Sequence, residues 1–225
     1  MMADYCTTAV RTDRSKKGMD GISLIVIPMD LPGVARESIK TQGWWGSNTA
    51  YITFDKVRVP RKNLLGKENH GFRYIMENFN NERFGMIAQC CGICHEIIRE
   101  TIKYARNRHT FGQPLIQSQV IRHKIANMAM RAETLFAYTE QLAYHLNIGV
   151  PPVDLGARVA LGKVYATQSF EYCAREASQI FGGNAYMRGG PGAKVERYYR
   201  DVRAMAISGG SEEIMLDLAM RGSKL

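Results

Sequence analysis

The chain has 225 residues, 45% hydrophobic and 23% charged, with 21 Gly, 7 Pro and 5 Cys spread without period, which excludes collagen, low-complexity disorder and a disulfide miniprotein. No apolar run approaches the ~20 residues of a membrane span, and the start MMADYCTTAV lacks the basic and apolar regions of a secretory signal. The formal net charge of +9 raises phosphorylated ligands and nucleic acid as partners; without a Lys/Arg block or basic/aromatic alternation, phosphorylated small molecules are the better expectation and nucleic acid is not expected.

In chain order, strands are expected over Tyr5 to Thr12, Ile22 to Ile27 and Ala50 to Val59, separated by the basic loop Asp13 to Gly21 and the turn Leu31-Pro32-Gly33. From about residue 71 the texture changes to 3.6-residue periodicity: Tyr74 to Asn107, Gln117 to Asn147, Val153 to Phe181, then shorter stretches near Val195 to Ala204 and Glu212 to Arg221. The fold class is therefore α+β, a partial antiparallel β domain (1–70) followed by a helical domain (71–225). So few strands would leave sheet edges unpaired, so the β part is expected to be incomplete.

On the first long helix Ile75, Phe79, Glu82, Met86, Cys90, Ile93 and Ile97 form one row at steps of three and four, in which Glu82 is the single charge. Desolvation raises the pKa of a buried carboxylate, as a general base near neutral pH requires. An ion pair or cap with Arg83 or a neighbouring helix explains the same pattern. Three polar or Gly-rich junctions interrupt the helices: Arg108 to Pro114, Gln179 to Ala185 and Ser208 to Glu213. In the last, Ser211 can cap a helix with two acids in its first turn, and the preceding glycines allow close backbone approach.

Taken together, Phe54-Asp55-Lys56-Val57-Arg58-Val59-Pro60, Gly71-Phe72, Glu82-Arg83, Arg108-His109-Thr110-Phe111-Gly112, Gln119, Gln179-Ile180-Phe181-Gly182-Gly183-Asn184, Tyr199-Arg200-Asp201-Val202-Arg203 and Gly209-Gly210-Ser211-Glu212-Glu213 resemble, in order and spacing, the acyl-CoA dehydrogenase family. The resemblance implies the second half of a middle β domain plus a complete C-terminal four-helix-bundle domain. It implies an FAD-dependent oxidoreductase that removes the α-proton of an acyl-CoA thioester by a carboxylate base while a β-hydride passes to the flavin, yielding a trans-2-enoyl-CoA in fatty-acid β-oxidation. Most members carry the base at the position of Gly209; the long-chain and isovaleryl branches carry it in a Glu-Arg pair, here Glu82-Arg83, and the chain looks most like the long-chain type.

By the same resemblance Arg108, Thr110, Phe111 and Gln119 hold the FAD of a neighbouring subunit. Gln179, Gly182, Gly183, Ser211 and Glu213 make further cofactor contacts. Asn80, Arg83 and Gly210 match substrate-contacting positions, and a backbone N–H near Gly209 helps hold the thioester oxygen. The implied assembly is a homotetramer or homodimer, and the implied electron acceptor is electron-transfer flavoprotein or oxygen. The alternative expectation is a non-catalytic truncated chain or scaffold lacking the N-terminal half needed for flavin and substrate.

The last residues, Ser223-Lys224-Leu225, form a peroxisomal address read by an import receptor. The odd number of cysteines, three of them in Cys90-Cys91-Gly92-Ile93-Cys94, suits a reducing compartment. Cys91 to His95 has haem-attachment spacing, but a run inside a long helical pattern is packing, and His70, His109, His123 and His145 lack ligand spacing, so no metal is expected. The Trp44-Trp45 pair is expected to pack within the β domain, with a wall for the substrate tail as the alternative.

Overall fold

A computed structural model describes residues 2–151 and 154–222. The chain divides into two compact units, Met1–Phe79 and Asn80–Leu225, and the first long helix runs through the division.

The first unit contains two small antiparallel sheets. Strand β1 (Tyr5–Arg11) pairs with β2 (Ile22–Pro28) in the register Tyr5 to Pro28 through Arg11 to Ile22, and β2 pairs on its other side with the short β5 (Leu64–Leu65). The β1–β2 loop is pinned from inside: the Arg11 guanidinium donates to the carbonyls of Asp20 at 2.8 Å and Gly18 at 2.7 Å. Strands β3 (Val34–Ser38) and β4 (Ala50–Phe54) form the second sheet. β3 has no counterpart in the sequence expectation, because Val-Ala-Arg-Glu-Ser shows neither alternation nor β-rich composition. The expected strand from Ala50 to Val59 stops at Phe54. There the Asp55 N–H donates to Gly33 O at 2.9 Å and Lys56 adopts a left-handed φ of 51°, which turns the chain out of the ladder. Trp44 and Trp45 open a short turn (Trp45–Ser47) and remain 38% and 50% exposed, with the Trp45 indole N–H donating to Thr41 O at 2.8 Å.

The helices are α1 (Gly71–Asn107), α2 (Gln119–Asn147), α3 (Gly156–Phe181), α4 (Ala193–Ile207) and α5 (Glu212–Gly222). A tight hairpin of β6 (His109–Thr110) and β7 (Gln113–Pro114) turns α1 towards α2. Helix α3 is the centre of the second unit and packs on α2, α4 and α5. Small residues let it do so: a Cβ on Gly162 would stand 2.7 Å from Tyr138 of α2 and 2.9 Å from Ile87 of α1. Phe170 is fully buried and meets Tyr198 of α4 edge to face, with ring centroids 6.1 Å apart. Leu135, Met128, Leu142, Val195 and Met205 complete this core.

The buried row of α1 corrects the sequence expectation. It runs Arg83, Ile87, Cys90, Cys94, Ile97, Thr101 and Ala105, so the charge it carries is Arg83, and Glu82 is exposed. The two rows share Cys90 and Ile97 and differ at the start of the face, for a physical reason. Ile75 and Phe79 belong to the first unit and do not define the face that the second unit buries.

Candidate active site

The site is built around the loop Ser208-Gly209-Gly210-Ser211 between α4 and α5. Ser208 N–H donates to Ala204 O at 3.0 Å, closing α4, and Ser211 O accepts the Met215 N–H at 2.9 Å, opening α5. Both glycines occupy the left-handed region, φ 69° and 115°. A Cβ on Gly210 would lie 2.4 Å from Met215, whereas one on Gly209 would meet Met86 at 3.2 Å and Arg83 at 3.6 Å.

Arg83 reaches this loop from α1. Its Nε donates to Gly209 O at 2.8 Å and its Nη1 to Asn80 Oδ1 at 3.3 Å. Burial pushes the Arg83 pKa below its ordinary value, and the neighbouring Glu82 carboxylate acts against that shift. Of the residues expected here, Asn80, Arg83, Gly209 and Gly210 are therefore brought together, with Glu82 exposed in the same helical turn. The Glu213 carboxyl is held below the usual range by its own backbone N–H and then by the Ser211 side chain.

One residue of this cluster has no counterpart in the sequence expectation. Lys163 of α3 is fully buried, and its Nζ donates to Ala206 O and Gly210 O, each at 2.7 Å. The available signal was a single cation in the apolar run Val159-Ala160-Leu161-Gly162-Lys163-Val164.

A cavity of ≈ 540 Å³ lies at the other end of α1, and Arg108, Thr110, Gly182 and Gly183 line it together. Its floor is Tyr104 stacked on Phe181, ring centroids 4.0 Å apart, with Asn184 Nδ2 donating to the Tyr104 hydroxyl at 2.9 Å. Tyr104 and Asn184 have no role in the sequence expectation. No heavy atom lies within 4 Å of a Cβ built on Gly182 or Gly183, and Gly182 has φ 57°. An accessible glycine backbone beside a guanidinium fits a phosphate-bearing group such as FAD. Gln179, Gln119 and Phe111 do not line this cavity. Phe111 is fully exposed at the tip of the β6–β7 hairpin, at φ 51°.

Comparison with known proteins agrees with this architecture. Residues 69–224 match the family described as acyl-CoA dehydrogenase, C-terminal domain. The chain is 42% identical over 223 residues to acyl-CoA dehydrogenase AFT10-1 of Alternaria alternata, covering 97% of this chain and 51% of that protein. It is 35% identical over 204 residues to the mitochondrial short-chain specific acyl-CoA dehydrogenase of Rattus norvegicus, covering 90% and 48%. The crystal structure of an acyl-CoA dehydrogenase from Geobacillus kaustophilus superposes with a TM-score of 0.93 at 29% identity, over 99% of this chain and 58% of that one.

This chain belongs to the acyl-CoA dehydrogenase family. It spans about half the length of the curated relatives it matches.

Proposed function

We propose that the chain carries the α,β-dehydrogenation of acyl-CoA thioesters, with Glu82 as the base. The observation that carries this reading is the 2.8 Å bond from Arg83 Nε to Gly209 O. It ties the Glu82-Arg83 turn of α1 to the one loop where a carboxylate would otherwise stand and where this chain has glycine. Exposure suits the role, because a base must meet a substrate that comes from outside the bundle. FAD, when bound, supplies the hydride acceptor, and Arg108, Thr110, Gly182 and Gly183 are the residues that would hold its phosphates or ribose. The Glu82 carboxylate accepts the α-proton at an oxygen, Arg83 holds Gly209, and loop N–H groups offer donors to the thioester oxygen, where negative charge develops.

The experiment is Glu82→Gln in FAD-loaded protein, with turnover read by dye reduction on acyl-CoAs of graded length. Loss of about 10²–10⁴-fold is expected for removal of a general base; unchanged turnover would discard Glu82. The finer features of the reading are a long-chain substrate in fatty-acid β-oxidation, a homotetramer or homodimer, electron-transfer flavoprotein or oxygen as acceptor, and a peroxisomal location. The last rests on Ser223-Lys224-Leu225, which lies outside the described residues. A fluorescent fusion with and without those three residues tests it.

A second reading is favoured by the coverage of about half of each relative: a chain that folds and assembles without catalysing. Purified 225-residue protein that carries flavin absorbance and reduces a dye with acyl-CoA would refute it.

A further inference from the structure

Lys163 is the most deeply buried charge of the second unit, yet it meets carbonyls, Ala206 O and Gly210 O at 2.7 Å each. Burial pushes its pKa down, while Glu212 and Cys90 act against that shift and Arg83 adds to it. Taking an ammonium out of water is unfavourable, and an apolar side chain of the same length would fill the space without that cost. The ammonium therefore contributes something that packing does not, namely where it directs the two carbonyls.

We propose that Lys163 is a positioning residue, which by holding Gly210 O while Arg83 holds Gly209 O fixes two successive peptide planes of the active-site loop and turns the Ser211 N–H outward as a donor.

The geometry follows from elementary peptide structure. No peptide bond among the described residues is cis, and in a trans unit the C=O and the following N–H point in opposite directions. The carbonyl of Gly210, drawn inward by Lys163, sends the Ser211 N–H outward. The Gly210 N–H is turned back to close the turn over Ser208 and Gly209 at the end of α4, so the Ser211 N–H is the one that the grip on Gly210 O frees. The left-handed φ values of Gly209 and Gly210 let both carbonyls face the bundle in succession, and a Cβ on Gly210 would stand 2.4 Å from Met215 Cε, which would have to shift. The use of the Ser211 donor, to receive the oxygen of a thioester as it becomes enolate-like, rests on the dehydrogenase reading; the positioning itself does not.

The test compares the 225-residue chain with its Lys163→Met variant by ¹⁵N relaxation of backbone amides. In the unmodified chain Gly210 and Ser211 are expected to show order parameters near 0.85, as in rigid backbone, and in the variant to fall below about 0.6, while amides of α2 are unchanged. A loop as ordered in the variant as before, or order lost equally along α3 and α4, overturns the proposal. If Lys163→Met does not fold, Lys163→Gln, which keeps one donor group, is measured against the same criteria. In FAD-loaded protein, the variant is expected to lower kcat by about 10²-fold with KM little changed, as for loss of an oxyanion donor; a raised KM with unchanged kcat counts against it. Loop disorder in the variant together with an unmodified chain that never turns over acyl-CoA would refute the dehydrogenase reading and leave the positioning role standing.

Discussion

Glu82 and Arg83 are adjacent on α1, yet one is exposed and the other 5% exposed. At Gly209, the positive φ makes Gly209→Ala unfavourable by about 1–2 kcal/mol, to be read as a lowered denaturation midpoint with unchanged m-value. The cysteines give a second check at this scale. Burial pushes the Cys90 thiol up to about 12 and raises Cys91 as well, while the hydrogen bond with Cys173, and then burial, raise Cys94. Thiolate is the reactive form, and only Cys6 is not buried. A thiol reagent at mildly alkaline pH is therefore expected to modify one cysteine in the native chain and all five after denaturation. The Cys91 to Cys94 segment, whose spacing imitates a haem attachment site, is packing in α1. The sequence alone placed Glu82 rather than Arg83 on the buried face, because adjacent residues lie only 100° apart on a helix and a face cannot be resolved more finely than its neighbours' burial.

Among the elements, α3 sets the geometry of the rest. Gly162→Val would place its branched carbons against Tyr138 and Ile87; overpacking of this kind costs about 1–3 kcal/mol, and calorimetry should show a lower Tm. Phe170→Ala at the α3–α4 contact should cost about 3–5 kcal/mol, the usual loss for a buried aromatic. Helix α4 carries its own acid-sensitive link. Arg200 donates to the Glu196 carboxylate four residues earlier and holds it below its ordinary value of 4.5. Because the folded pKa is the lower one, the contribution of Glu196 is complete above 4.5 and is lost as pH falls through the depressed value. Thermal melts taken from neutral pH downward should show the unmodified chain losing its advantage over Glu196→Gln in that window. The long helices were legible because the apolar period persists over many turns; α1, α2 and α3 begin within a few residues of expectation. β3 and β5 were not, since their pairing is decided by partners distant in sequence.

For the whole molecule, family membership and the helical half follow from motif order, whereas the cluster at Gly209 and Gly210 does not. Lys163 meets a loop 47 residues further along, and no local pattern encodes that contact. The cavity at Arg108 lies between these two cases: its charged and glycine residues stand in recognisable junctions, while its aromatic floor, Tyr104 on Phe181, is assembled only by folding.

The buried cations beneath the loop also bear on ionic strength. Raising salt from about 0.1 M to 1 M shortens the Debye length from ~10 Å to ~3 Å, weakening pairs in contact with solvent and leaving interior ones almost untouched. Lys194 bridging Glu96 and Glu100 at the surface belongs to the first group, and Lys163 with its two carbonyls to the second. A chain with a net charge of +9 thus keeps the shape of one loop independent of the salt that governs much of its surface, so attraction for a polyanionic ligand can fade in brine while the loop geometry persists.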